Sequence, residues 1–165
     1  MNLYFLRHAD AEDKGTHGIT HDADRPLTET GVKKVKRIAE AMYEMEISFD
    51  AILSSPYRRA KDTAEIVGEI LECRSRIRTT PHLAVNGNPS ALIEEINEEY
   101  SRSKEILLVG HEPLLAGLIS VLISGRHDVS VRMKKGALCK LSTDRLHFGK
   151  CATLEWLMGP SQLIF

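Results

Sequence analysis

The chain has 165 residues, 42% apolar and 27% charged, with a formal net charge of -1. That length suits one domain, residues 1–165, with a sizeable core, and the composition is that of an ordinary globular protein. The near-neutral balance supplies no basic field for nucleic acid. The apolar start ends at Arg7, too short for a secretory core or a membrane span, so no membrane association and a cytoplasmic location are expected. Cys73, Cys139 and Cys151 lie far apart with no C-x-x-C pair, and read as ordinary thiols in a reducing compartment.

Met1-Asn2-Leu3-Tyr4-Phe5-Leu6 is a short apolar run that reads as a buried strand, and it delivers Arg7-His8-Ala9-Asp10 at its end. Residues 10–28 are polar, contain Gly15, Gly18 and Pro26, and read as a long loop. His17 and His21 stand four apart, but Gly18 between them argues against a helical metal pair. Thr28 is the expected N-cap of a helix whose buried stripe is Val32, Val35, Ile38, Ala39 and Met42. Lys33, Lys34, Lys36, Arg37 and Glu40 fall on its solvated face.

Asp50-Ala51-Ile52-Leu53-Ser54-Ser55 is a second apolar run, and Pro56 suits the first turn of a helix with Ala60, Ala64, Val67 and Leu71 inside. A short strand is expected around Ile77-Arg78-Thr79, then turn chemistry at Asn86-Gly87-Asn88-Pro89 and a helix burying Leu92, Ile93 and Ile96. Glu105 to Val109 reads as a central parallel strand, followed by Gly110-His111. Pro113 to Ile123 reads as a buried helix closed by Gly125. Gly136–Ser142 and Phe148–Met158 are expected to form a hairpin around Thr143-Asp144-Arg145.

Alternating strands and helices imply an α/β fold: a three-layer α/β/α sandwich on a mostly parallel sheet. In such a sheet the chemistry gathers at the carboxyl ends of the strands. His8, Arg59 and His111 then share one edge, and with Arg7 they make a cluster of cationic and imidazole groups that suits phosphate.

Leu6-Arg7-His8-Ala9, then Ser55-Pro56-Tyr57-Arg58-Arg59-Ala60 with Thr63, then Val109-Gly110-His111, resemble in order the motifs of the histidine phosphatase superfamily, the relatives of phosphoglycerate mutase. Asp24-Arg25-Pro26-Leu27-Thr28 with Gly31, the short chain and His111-Glu112-Pro113 look most like its small SixA-type phosphohistidine phosphatases. The family has glycine after the histidine where this chain has Ala9, which raises a question of backbone torsion at that turn.

The resemblance implies a phosphoglycerate mutase-like fold and a metal-independent hydrolase with no cofactor. His8 is then the nucleophile that carries a transient phosphohistidine. Arg7, Arg59 and His111 would hold the phosphoryl group, with Arg25 as a further contact and Arg58 outside on the rim. The general acid is open among Asp10, Asp22, Asp24 and Glu112, the last favoured by its place beside His111. Only about fifty residues separate Arg59 from His111, and the expected elements use nearly all of them, so no large lid is expected. An open groove suits a phosphohistidine-bearing protein, for example a phosphotransfer domain. A phosphorylated small molecule is the alternative substrate, and a non-catalytic phosphate- or phosphoprotein-binding module the alternative class.

Overall fold

The computed structural model describes residues 1–164. Six strands form one sheet: β1 Asn2–Arg7, β2 Ala51–Ser54, β3 Ile77–Thr79, β4 Glu105–Gly110, β5 Leu138–Thr143 and β6 Ala152–Met158. Their order is β3-β2-β4-β1-β5-β6. The first four are parallel to their neighbours, and β5 and β6 add antiparallel at the β1 side. The helices are α1 Glu29–Glu44, α2 Arg58–Ile70, α3 Pro89–Glu99, α4 Leu114–Ser124 and the short α5 Pro160–Leu163.

The central strands are apolar on both faces because both faces are covered. Leu3, Phe5, Ala51, Leu53, Ile106 and Leu108 point to a core completed by α3 and α4 through Leu92, Ile93, Ile96, Leu115, Leu118, Ile119 and Leu122. Their alternates Tyr4, Leu6, Ile52, Leu107 and Val109 point to a second core. That core is completed by α1 and α2 through Val35, Ile38, Ala39, Met42, Ala60, Ala64 and Val67. The period-two alternation in each strand thus divides into two helical layers. Each fully buried Leu or Ile contributes about 1.5–3 kcal/mol, so the sheet centre carries much of the stabilising burial.

Local chemistry sets the helix starts. The Thr28 hydroxyl accepts from the Gly31 amide at 2.9 Å, which caps α1. Gly31 is required there: a Cβ on it would lie 2.2 Å from the Asp10 carbonyl oxygen. Asn88 caps α3 through the Ala91 amide, and Pro89 occupies the first turn. Gly125, at φ 82°, closes α4. The α2 helix opens at Arg58 rather than at Pro56, because the Ser55 hydroxyl accepts from the Tyr57 amide and holds residues 55–57 in a turn.

One expectation about chain path gains detail and one needs correction. The loop over residues 10–28 is structured: it carries short 3-10 turns at Thr16–Gly18 and Asp22–Asp24, and an Ala11–Leu27 bridge closes its base. The hairpin is not joined by a tight turn at residues 143–145; β6 starts at Ala152, four residues later than Phe148. Tertiary bonds hold the intervening segment, since Asn97 donates to the Leu146 carbonyl and the Cys151 amide to the Leu122 carbonyl. Leu146 is buried in the same step.

Between Arg59 and His111 the chain is taken up by α2, β3, α3 and β4 with short connections, and no inserted subdomain covers the sheet edge. No helix among the described residues is long and apolar enough to cross a membrane.

Candidate active site

The strand order makes neighbours of the three motif ends. β4 lies between β1 and β2, with Arg7 opposite Gly110 and Ser54 opposite Val109. Each ladder runs one residue further, the His8 amide donating to the Gly110 carbonyl at 3.1 Å and the Ser55 amide to the Val109 carbonyl at 2.9 Å. His8, Ser55 and His111 are therefore held side by side at the ends of three adjacent buried strands.

His8 is buried, with 6% of its surface exposed. Its Nδ1 lies 2.7 Å from the Ala9 carbonyl, and its Nε2 accepts from Arg59 Nε at 3.2 Å. A carbonyl can only accept and a guanidinium can only donate, which assigns the proton to Nδ1 and the lone pair to Nε2. Burial pushes the His8 pKa down to about 4; the Ala9 hydrogen bond opposes this, while Arg59, Arg7 and Lys135 reinforce it. The imidazole is neutral at pH 7 and has its free electron pair on Nε2. Ala9 is fully buried and is not among the residues with positive φ, so its methyl meets no torsional penalty.

His111 is more buried still, at 2% exposed. Its ring centroid lies 5.0 Å from that of His8, and Tyr57 stands edge-on against it at 5.2 Å. His111 Nε2 is 2.7 Å from the Ser55 hydroxyl, and Nδ1 has no hydrogen-bond partner. Burial pushes its pKa down to about 3; His8, Arg59 and Arg7 add to this, against Asp22.

Arg59 is turned inward and Arg58 outward. Arg59 is 5% exposed, and its guanidinium spans His8 and Asp22: Nη1 donates to the Asp22 carbonyl at 2.9 Å and Nη2 to Oδ2 at 3.1 Å. It also sits over the Tyr57 ring, at 5.3 Å from the centroid. The Arg58 side chain is 60% exposed and only loosely opposes Asp62 at 3.9 Å. Arg7 donates from Nη1 to the Met133 carbonyl at 2.9 Å, while its buried Nε has no partner.

Arg25 joins this cluster through Asp22. Its guanidinium pairs with Asp22 at 2.8 Å and Asp13 at 3.8 Å, and its Nε donates to the Glu12 carbonyl. It anchors Asp22, and Asp22 anchors Arg59. Burial would raise the Asp22 carboxyl, but the hydrogen bonds from Arg25 and Arg59 outweigh it and hold the group below the usual range.

The acid candidates separate by environment. Asp10 is bonded to Lys34 and faces Lys135 at 3.7 Å, and the Lys34 bond holds it below the usual carboxylate range, so it is ionised and no proton donor. Asp24 is exposed on its turn, and it is Asp22 that reaches Arg59. Glu112 is the exception. It is half-buried, burial raises its pKa despite the Ala116 amide bond and Arg7, and it follows His111 directly.

Three roles escaped the sequence reading: Ser55 on His111, Tyr57 against both His111 and Arg59, and Asp22, weighed there only as an acid candidate, as the anchor of Arg59. Ser55 carried a signal, since it follows β2 as His8 follows β1 and His111 follows β4. Among the described residues no group of three or more His, Cys, Asp or Glu is placed to hold a metal ion.

A neutral histidine with its lone pair exposed to a guanidinium, flanked by a second neutral histidine and a second arginine, defines a phosphoryl-handling site at the carboxyl edge of an α/β sheet. The chain belongs to the histidine phosphatase superfamily, whose branch 1 matches residues 3–84. Its similarity to SixA extends over the whole chain. The phosphohistidine phosphatase SixA of Escherichia coli (strain K12) is 27% identical over 166 residues, 99% of this chain and 96% of its own. An uncharacterized protein of Picosynechococcus sp. is 31% identical over 142 residues, 86% of this chain and 84% of its own. The solved structure of the protein histidine phosphatase SixA complexed with tungstate superimposes with a TM-score of 0.85 at 25% identity, covering 99% of both chains. The fold is that of the phosphoglycerate mutase-like histidine phosphatases.

Proposed function

We propose that this protein is a cytoplasmic protein phosphohistidine phosphatase that works through a covalent phosphohistidine on His8 and needs no metal. One observation carries the reading. The two buried side-chain nitrogens without a partner among the described residues, Arg7 Nε and His111 Nδ1, belong to the residue that precedes His8 and to the histidine whose ring centroid lies 5.0 Å from that of His8. Unpaired buried polar atoms are rare and need an explanation. A tetrahedral oxyanion over His8 supplies it. The tungstate in the SixA structure is an ion of that shape.

The geometry supports the following chemistry. In the free enzyme the Nε2 lone pair is held by Arg59, whose other nitrogens hold Asp22. A phosphoryl group draws the guanidinium onto its own oxygens and releases the lone pair. Nε2 attacks phosphorus, and the phosphorus–nitrogen bond of the substrate breaks. The departing imidazole has a conjugate acid of pKa about 6.5, so it leaves with little help. Water then attacks phospho-His8, inorganic phosphate departs, and the electron pair returns to Nε2. Arg7, Arg59 and His111 stabilise the charge that a metal handles in other phosphoryl transfers.

The surroundings suit a macromolecular substrate. A groove of about 590 Å³, lined by Val85, Pro89, Glu112, Pro113, Val129 and Val131 among others, opens beside Glu112. It shares Glu112, Ser130 and Val131 with a hollow that reaches Arg7. Residues flanking a phosphohistidine, as on a phosphotransfer domain, have room there. Glu112 supports a second reading, a small-molecule phosphomonoesterase, because a carboxyl with a raised pKa suits protonation of an alkoxide leaving group. The test compares kcat/KM for a phosphohistidine-bearing protein with a panel of sugar phosphates and nucleotides, with and without chelator. The protein substrate is expected to lead by about tenfold or more, unaffected by chelation. A phosphomonoester leading by that margin would replace the reading, and a need for added magnesium or zinc would reject the metal-free site.

A further inference from the structure

Ser55 is fully buried and ends the β2 run at the same level as the two histidines. Its hydroxyl has two partners: it accepts from the Tyr57 amide at 3.2 Å and lies 2.7 Å from His111 Nε2. A hydroxyl has one proton to give, and an amide N–H cannot take it. The proton therefore goes to His111 Nε2. A ring nitrogen that accepts is unprotonated, so a neutral His111 carries its proton on Nδ1. The opposite tautomer would strand two buried groups at once, the Ser55 hydroxyl proton and the Nδ1 lone pair. It would also turn a lone pair, instead of a proton, toward any oxyanion beside it. The Tyr57 ring, 5.2 Å away and edge-on, packs against the imidazole and limits its tilt.

We infer that Ser55 is a positioning residue, whose hydroxyl fixes His111 in the Nδ1-protonated tautomer so that its unpaired Nδ1–H is presented to the transferring phosphoryl group. The identity of the acceptor rests on the proposed phosphatase reading; the tautomer does not. The neighbouring charged groups act in the same sense. Arg7 and Arg59 are permanent cations that keep His111 from becoming doubly protonated, and Asp22, which favours the charged form, is already engaged by Arg59 and Arg25. The main-chain amide of Tyr57 sets the direction of the hydroxyl, and the fixed tautomer of His111 sets the direction of the donor. Through this chain of bonds a buried serine sets the donor direction of the histidine beside it.

The tautomer is measurable in the unliganded wild-type protein. Long-range nitrogen-15 to proton correlation spectra of histidine-labelled protein should show His111 with Nδ1 protonated and Nε2 bare. A wild-type His111 protonated on Nε2 would overturn the inference, whatever the activity turns out to be. In folded Ser55→Ala, the His111 signals should move toward the other tautomer. The kcat on a phosphohistidine-bearing protein should fall by about tenfold or more, with KM changed by less than about threefold, because the donor acts on the transition state more than on the bound substrate. Ser55→Thr, which keeps the hydroxyl, should restore both the signals and kcat. Wild-type kcat in Ser55→Ala would also overturn the inference. Absence of turnover in the wild-type protein on any phosphorylated substrate would count against the phosphatase reading, and the spectra would still decide the tautomer.

Discussion

Replacing Arg59 by alanine removes the most connected side chain of the site, and the structure allows its effect to be divided. The side chain is 6% exposed and makes three polar contacts: with His8 Nε2 at 3.2 Å, the Asp22 carbonyl at 2.9 Å and the Asp22 carboxylate at 3.1 Å. For stability, hydrogen bonds to charged groups are worth about 1.5–3 kcal/mol. The lower end is expected, because Asp22 keeps Arg25 at 2.8 Å and its side chain is 33% exposed. For catalysis, loss of a positioned donor to developing negative charge costs about 2.7–4 kcal/mol, which is about a hundredfold to a thousandfold in kcat. Arg58→Ala is the matched control. Its side chain is 60% exposed and 3.9 Å from Asp62, a pair worth no more than about 1 kcal/mol. The assay is steady-state hydrolysis of a phosphohistidine-bearing protein by both variants, beside urea unfolding curves. Arg59→Ala should lose about a hundredfold or more while remaining folded, and Arg58→Ala should stay within about threefold. The reverse ranking would refute the assignment of the inward guanidinium. An Arg59→Ala enzyme with more than about a tenth of wild-type activity would refute its role in charge stabilisation.

His8 and His111, with pKa values pushed down to about 4 and about 3, stay neutral in the folded state well below the ordinary value of 6.5. The unfolded chain therefore binds more protons in that window, and stability should fall as pH drops from about 6.5 toward 4, a trend that is shallower in His8→Asn when followed by thermal unfolding. The acid limb of kcat/KM should lie nearer pH 4 than pH 6.5, and a limb at the ordinary imidazole value would contradict a neutral buried nucleophile. Glu112→Gln should leave phosphohistidine turnover within about threefold but lower alkyl phosphomonoester turnover by about a hundredfold or more, read from kcat on the two substrate types. Equal losses would remove Glu112 from the acid role. Gly31→Ala should destabilise the fold by about 1–3 kcal/mol, since the new methyl meets the Asp10 carbonyl oxygen; an unchanged denaturation midpoint would show that the loop gives way freely.

What was legible in the sequence was whatever depends on strand ends. The apolar runs before His8, Ser55 and His111 read as buried strands because both faces are covered, and their histidines came with them. That Arg59 and not Arg58 turns inward was implied by the family resemblance; helix geometry adds only that adjacent residues, about 100° apart, do not both face the site. Roles created by contacts across the fold were not legible. Arg25 sits in a phosphate-binding family motif, yet loop carboxylates hold it, and nothing in Asp24-Arg25-Pro26 reveals that Asp13 and Asp22 fold back onto it. Asp10, Asp24 and Glu112 are alike as residue types, and only burial and the nearness of Lys34 distinguish them. Ala9 raised a torsion question that the structure answers, because the turn keeps φ negative. The hairpin was placed by its apolar pattern, but its connection is held by α3 and α4, which no local turn signal records.

The central claim is that His8 carries the phosphoryl group. Wild-type protein mixed with a phosphohistidine-bearing substrate and quenched in base within milliseconds should contain a single base-stable, acid-labile phosphate. Peptide mass spectrometry should place that phosphate on His8, and His8→Ala should show neither phosphate nor turnover. Full turnover by His8→Ala, or a phosphate trapped on any other residue, would contradict the account.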